Sequence, residues 1–145
     1  EFGKQIMRRY LLVISVTVTL LLGYTVDIFS QSNHTDLQDI DFFNLLISTS
    51  NPVILDVQTA KEFKKNHIAN AISAPEKKIL LQICDTLSKE SEIFIYCFHG
   101  DRSLFCQTIL DSLGFINVHN LKNGLDPAIK NPIIRQYKSL IYFKE

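Results

Sequence analysis

Downstream of residue 52 the chain alternates two kinds of segment, and that alternation admits few architectures. Residues 53–57, 92–96 (EIFIY) and 115–121 are short, largely apolar runs of strand length. Between the first two lie the helical stretch AKEFKKN and, behind Pro75, a second one at about 76–87 with Ile79, Leu80, Ile83 and Leu87 on one face. Residues 103–113 carry Leu104, Ile109, Leu110 and Leu113 at helical spacing, and Gly114 closes them as a left-handed cap. Strands separated by helices pair in parallel through right-handed crossovers, with helices on both faces of the sheet. The fold class read from this pattern is α/β with a small parallel sheet. Upstream, Asp39 is placed to cap a helix carrying Ile40, Phe43 and Ile47, ended by Asn51-Pro52. Residues 132–145 read as a further helix or strand that packs back on the domain. No internal repeat or heptad seam interrupts the scheme.

The N-terminal part is of another kind. Arg8 and Arg9 precede residues 10–26, an uncharged and mostly apolar run of 17 residues ending at Asp27. As a hydrophobic helix it reaches about 25 Å, the short end of a bilayer span, so a retained anchor and a cleaved signal peptide both fit. Ser30 and Ser32 offer small residues for cleavage, whereas the β-branched residues of the run suit a retained span. The expected organisation is an anchor or signal peptide at 7–27, a polar tether at 28–36 and a globular domain at 37–145. Met7 followed by two arginines reads as a natural start. With the basic residues on its N-terminal side, the domain is expected on the non-cytoplasmic face, the periplasm in a bacterium.

Charge and cysteines narrow the function. Beyond residue 9, 12 basic side chains face 14 acidic ones, with no basic stripe, so nucleic acid is not an expected partner. The three cysteines, Cys84, Cys97 and Cys106, show no Cys-x-x-Cys pair and no zinc spacing, so no metal is expected. An odd count leaves at least one thiol unpaired, which in an oxidising compartment asks for a job.

That thiol has a place. Cys97-Phe98-His99-Gly100-Asp101-Arg102-Ser103 lies between the EIFIY strand and the next helix, where open α/β sheets put their ligands. A loop over a helix N-terminus aims backbone N–H groups inward and forms a nest for an anion, which would favour a thiolate or persulfide on Cys97. Gly100 allows the tight turn, and Arg102 adds a permanent cation to hold the loop or bind an anionic donor.

In these segments the chain resembles the rhodanese-like sulfurtransferases, over about residues 37–130. LDVQTAKEF (residues 55–63) followed by NHIANA (66–71) is similar to the family's first signature, CFHGDRS to its active-site loop, and GFINVHNLKNG (114–124) to the segment that closes the domain. The resemblance implies a rhodanese-like α/β fold and a ping-pong mechanism without cofactor. Cys97 attacks the sulfane sulfur of thiosulfate or a thiol persulfide, and a thiol, cyanide or a protein acceptor then removes it. Four residues separate Cys97 from Arg102, whereas the related protein-tyrosine phosphatases have five, and the smaller cradle suits a sulfur atom better than a phosphoryl group.

Within the loop, Phe98, His99, Gly100, Asp101, Arg102 and Ser103 are the expected substrate-binding set. His99 either contacts the donor or is simply solvated. Asp101 weakens the positive field, which disfavours thiosulfate relative to a thiol persulfide. Asp56 and Glu62 match family positions that brace the loop and sheet, with an ordinary surface carboxylate the alternative for Glu62. His67 is expected to be structural, under the loop. Cys106 is expected in the core, and Cys84 in the core or as a resolving thiol. The chain departs from the family pattern at Gln58, where arginine is usual, and at Asn66, Asn70 and Asn123, which replace glycines. The asparagines tolerate left-handed backbone; Gln58 bears on how the loop is braced. The competing readings are a non-catalytic module for docking or redox sensing through Cys97, and a phosphatase.

Overall fold

A computed structural model describes Met7 and residues 33–144. The apolar run 10–26, and with it the expected anchor or signal peptide, lies outside these residues. Among the described residues no helix is long and apolar enough to cross a membrane.

In chain order the elements are β1 (Asn33–Leu37), α1 (Asp39–Ser48), β2 (Val53–Asp56), α2 (Ala60–Lys65), β3 (Asn66–Ile68), β4 (Ile72–Ser73), α3 (Lys77–Cys84) and β5 (Glu92–Tyr96). They continue with α4 (Asp101–Ser112), β6 (Asn117–Leu121), α5 (Leu125–Lys130), a 3-10 helix (Pro132–Leu140) and β7 (Ile141–Phe143). Five strands form a parallel sheet in the order β1-β6-β5-β2-β4, and β3 pairs antiparallel with β7. The α/β reading holds.

Strand pleat divides the core in two. Phe94 and Tyr96 of β5 face α1, α5 and the 3-10 helix, where Phe42, Phe43, Leu125 and Ile134 are buried. Ile93 and Ile95 face the other side, against Leu80 of α3 and Leu110 of α4. Because both faces are covered, EIFIY is apolar nearly throughout and does not alternate. Each fully buried side chain of this size contributes about 1.5–3 kcal/mol. Cys97 falls on the Ile93 and Ile95 side, so its thiol is directed at α4.

Several local expectations shift. The polar residues 33–36, read as tether, form most of β1, an edge strand on β6. Their polarity belongs to an exposed edge: Thr35 Oγ1 lies 3.0 Å from His119 Nδ1, and Asn120 Nδ2 donates to Asp36 Oδ1 at 2.8 Å. In α1 the cap position is Gln38 without a side-chain cap bond, and Asp39 is the first helical residue. The buried face there is Phe42, Phe43 and Leu46, while Ile47 is exposed. Helix α4 starts two residues earlier than its apolar pattern suggests, and its buried side is Ser103, Gln107 and Leu110; Leu104 and Phe105 stand in solvent. The site loop fixes the helix at its first turn, so the loop and not the leucine pattern sets its rotation. Of the three asparagines in glycine positions only Asn70 is left-handed, and Asn66 is extended. Gly114 is left-handed, as its cap role requires.

Candidate active site

Connections leave β2 toward β4 on one side and β5 toward β6 on the other. The carboxyl ends of these adjacent strands are therefore the switch point of the sheet, and residues 97–103 sit there. Cys97 lies at the floor of the loop, 1% exposed, and its Sγ accepts the Gly100 N–H at 3.0 Å. Ser103 Oγ donates to Gly100 O at 2.9 Å and stands 3.6 Å from the same sulfur. A thiol placed thus has hydrogen-bond donors ready for negative charge on sulfur.

The remaining loop residues divide by exposure. Phe98 is half-buried and meets His99 edge-on, with ring centroids 4.6 Å apart, while His99 and Asp101 face solvent. Arg102 Nη2 reaches both oxygens of Glu62, at 3.0 and 2.9 Å, and Nη1 donates to Val57 O at 3.4 Å. Arg102 therefore ties the loop to α2 and to the end of β2, as a brace. Glu62 is built into the start of α2 by a capping box with Thr59. Burial pushes its carboxyl up, but the Thr59 N–H and hydroxyl and the Arg102 guanidinium outweigh this, leaving it below the usual range.

Asp56 lies deeper. It accepts the Gln58 N–H at 2.8 Å and the Gln58 Nε2 at 2.9 Å, and Tyr96 hydroxyl also donates to it. Burial dominates and raises its carboxyl above the ordinary range despite these bonds. Tyr96 is in turn pushed up by burial and by the neighbouring Asp56 charge, and its oxygen accepts the Ile68 N–H at 2.9 Å. Gln58 is fully buried and bridges Asp56 to Asn66 O, so it braces β2 against β3 and does not reach the Cys97 loop.

His67 is structural but not under the loop. Its ring stacks between Phe63 of α2 and Tyr142 of β7, at 4.0 and 4.7 Å, and its Nδ1 bonds Phe63 O, which ties the β3–β7 ribbon to α2. Cys84 is buried, and burial raises its thiol. Cys106 is only partly buried, one turn along α4 from Ser103. Among the described residues no three His, Cys, Asp or Glu side chains converge as a metal site requires.

The sequence reading missed what holds the loop from behind. The Leu125 N–H donates to Cys97 O at 2.8 Å and the Asp126 N–H to Phe98 O at 3.1 Å. Gly124, at φ +77°, packs its α-carbon directly on the loop: a Cβ there would lie 2.5 Å from Phe98 O and 2.6 Å from the His99 and Gly100 nitrogens. Gly100 presses in the same way on Lys122 O from the other side. The LKNG turn was the available signal, though a glycine before a helix does not reveal which backbone it touches.

The family model described as Rhodanese-like domain matches residues 40–129. Thiosulfate sulfurtransferase GlpE from Coxiella burnetii is 31% identical over 81 residues, covering 56% of this chain and 75% of that one. Senescence-associated protein DIN1 of Raphanus sativus is 32% identical over 90 residues, 54% of this chain, and the chain spans 49% of that protein's length. Among solved structures, the Alr3790 protein from Anabaena superposes with a TM-score of 0.56 at 25% identity, over 66% of this chain and 77% of that one.

Proposed function

This chain belongs to the rhodanese-like domain family, and from that premise we propose that it is a sulfurtransferase that carries one sulfane sulfur as a persulfide on Cys97. The observation that carries the reading is the Cys97 sulfur, held at the loop floor against the Gly100 N–H and beside the Ser103 hydroxyl. Those groups stabilise negative charge on sulfur both when the thiolate attacks a donor and when it leaves after transfer. A six-residue loop braced by Arg102 and backed by Gly124 has little room to widen for a phosphoryl group. With Arg102 already paired to Glu62 and Asp101 at the mouth, the field is poor for a dianion, which favours a thiol persulfide over thiosulfate as donor.

The test is intact-mass analysis of the protein after treatment with a thiol persulfide or with thiosulfate, followed by cyanide. A gain of one sulfur, lost in Cys97→Ser and released as thiocyanate, supports the reading; a folded, reduced protein that gains no sulfur from either donor sinks it. Placement on the non-cytoplasmic side through residues 10–26, retained or cleaved, is also a proposal, resting on the apolar run and the arginines before it. A full chain extracted from membranes by alkaline carbonate would argue against a retained anchor.

A further inference from the structure

Beside the loop, α3 and α4 leave a groove of about 340 Å³. Its floor is buried and apolar, made by Val57, Ala74 and Leu80. One wall is Phe105 and Ile109 on α4, and Phe105 keeps 63% of its surface in solvent although it lies within two turns of the site loop. The groove adjoins the site loop through Asp101 and Arg102. Arg102 forms part of its lining, and Val57, on its floor, donates its N–H to the carbonyl of Tyr96, the residue before Cys97, at 3.0 Å. Cys106, also in the lining, is one turn of about 5.4 Å along α4 from Ser103, whose hydroxyl is beside the Cys97 sulfur.

The charges around it do not select an anion. Arg102 is paired to Glu62, and the remaining charged residues of the lining are Lys77 against Glu76 and Asp101. An apolar trough with balanced charge at its rim accepts an uncharged hydrocarbon body.

We propose that this groove binds the apolar body of the sulfur acceptor, so that the Cys97 persulfide is handed preferentially to low-molecular-weight thiols carrying an alkyl or aryl group. The inference rests on the persulfide reading of Cys97. The terminal sulfur of a persulfide stands about 2 Å beyond Sγ, and the groove wall begins at Asp101 and Arg102 of the same loop. The acceptor thiolate attacks that outer sulfur: a bond forms between the two, the bond to Cys97 Sγ breaks, and the electron pair leaves on Sγ, facing the Gly100 N–H. Acceptor thiol becomes persulfide and Cys97 returns to thiol, with no net oxidation.

The experiment loads the full chain with sulfur and measures single-turnover transfer to thiophenol and to cysteine, in wild type, Phe105→Ser and Ile109→Trp. Phe105 is exposed, so its replacement leaves the fold intact, and Ile109→Trp fills the groove from the wall. Intrinsic nucleophilicity cancels when the thiophenol-to-cysteine rate ratio is compared between variants. The ratio is expected to fall roughly tenfold in Phe105→Ser, the loss of part of one aromatic contact, and to fall at least as far in Ile109→Trp, where a wild-type ratio would equally overturn the groove assignment. A ratio unchanged in Phe105→Ser, with Cys97 fully loaded, overturns the groove assignment alone; a Cys97 that never gains sulfur overturns the persulfide reading and the assignment with it.

Discussion

Two glycines with similar left-handed φ separate backbone strain from site geometry. Gly124 has φ +77° and ψ 176°, and a Cβ would meet three backbone atoms of the site loop at 2.5–2.6 Å. Gly114 has φ +81°, and its Cβ would meet nothing within 4 Å. In Gly114→Ala only the left-handed conformation is penalised, about 1 kcal/mol. In Gly124→Ala the backbone region is one that glycine alone occupies, about 1–3 kcal/mol. A Cβ in ordinary contact with such oxygen and nitrogen atoms stands at 3.4 Å or more, so the loop or the turn must move by about 1 Å, which adds a comparable overpacking cost. The sum is on the order of 2–6 kcal/mol, a large part of the 5–15 kcal/mol typical of a domain. At roughly 4 °C per kcal/mol for a domain of this size, Gly114→Ala should melt about 4 °C below wild type and Gly124→Ala about 8–24 °C below. Thermal melts followed by circular dichroism measure this. At a temperature where both variants are folded, the rate of sulfur loading on Cys97 should drop only in Gly124→Ala, because only there is the Gly100 N–H displaced from the sulfur. Melting of Gly124→Ala within 2–3 °C of Gly114→Ala, with normal loading, would refute the claim that the turn before α5 supports the loop.

Two carboxylates predict opposite dependences on pH. Glu62 is held below its ordinary value of 4.5, so its stabilisation is present above that pH and is lost as pH falls through the lower folded value. Glu62→Gln should remove this acid-side loss and cost no more than about 1 kcal/mol at neutral pH, because the pair with Arg102 is partly solvated; urea melts from pH 3 to 7 compare the two proteins, and identical profiles would count against the pairing. Asp56 is raised above its ordinary 3.8, so its contribution is fully present below that pH and is lost as pH rises through the folded value. The stability difference between wild type and Asp56→Asn should therefore shift in favour of the variant as pH rises from 3.8, and a constant difference across that range would show that Asp56 titrates normally.

The alternation of strand-like and helix-like runs, and the loop CFHGDRS after EIFIY, are local facts of sequence, and they were enough for the α/β class and to single out Cys97 as the candidate nucleophile. Burial on both faces makes a strand apolar throughout, so β5 announced itself. The edge strand β1 did not, because a strand with one free edge and a solvated face has the composition of a linker. The pairing of Glu62 with Arg102 was not legible: Glu62 stood out as a bracing family position and Arg102 as a loop cation, but 40 residues separate the two charges and sequence carries no distance.

What the tertiary structure alone decided are the contacts between segments far apart in the chain. Gly124 backs the loop because β6 lies next to β5, which brings the turn after one strand against the turn after the other. His67 belongs to the β3–β7 ribbon because the C-terminal strand returns to pair there. Helix α4 buries Ser103 and Gln107 and exposes Phe105 because its first turn is held by the loop, and hydrophobic periodicity cannot report a rotation imposed from outside the helix. Periodicity and turn chemistry act within a few residues and can be read from the chain; packing acts across the sheet, and only the folded neighbours define it.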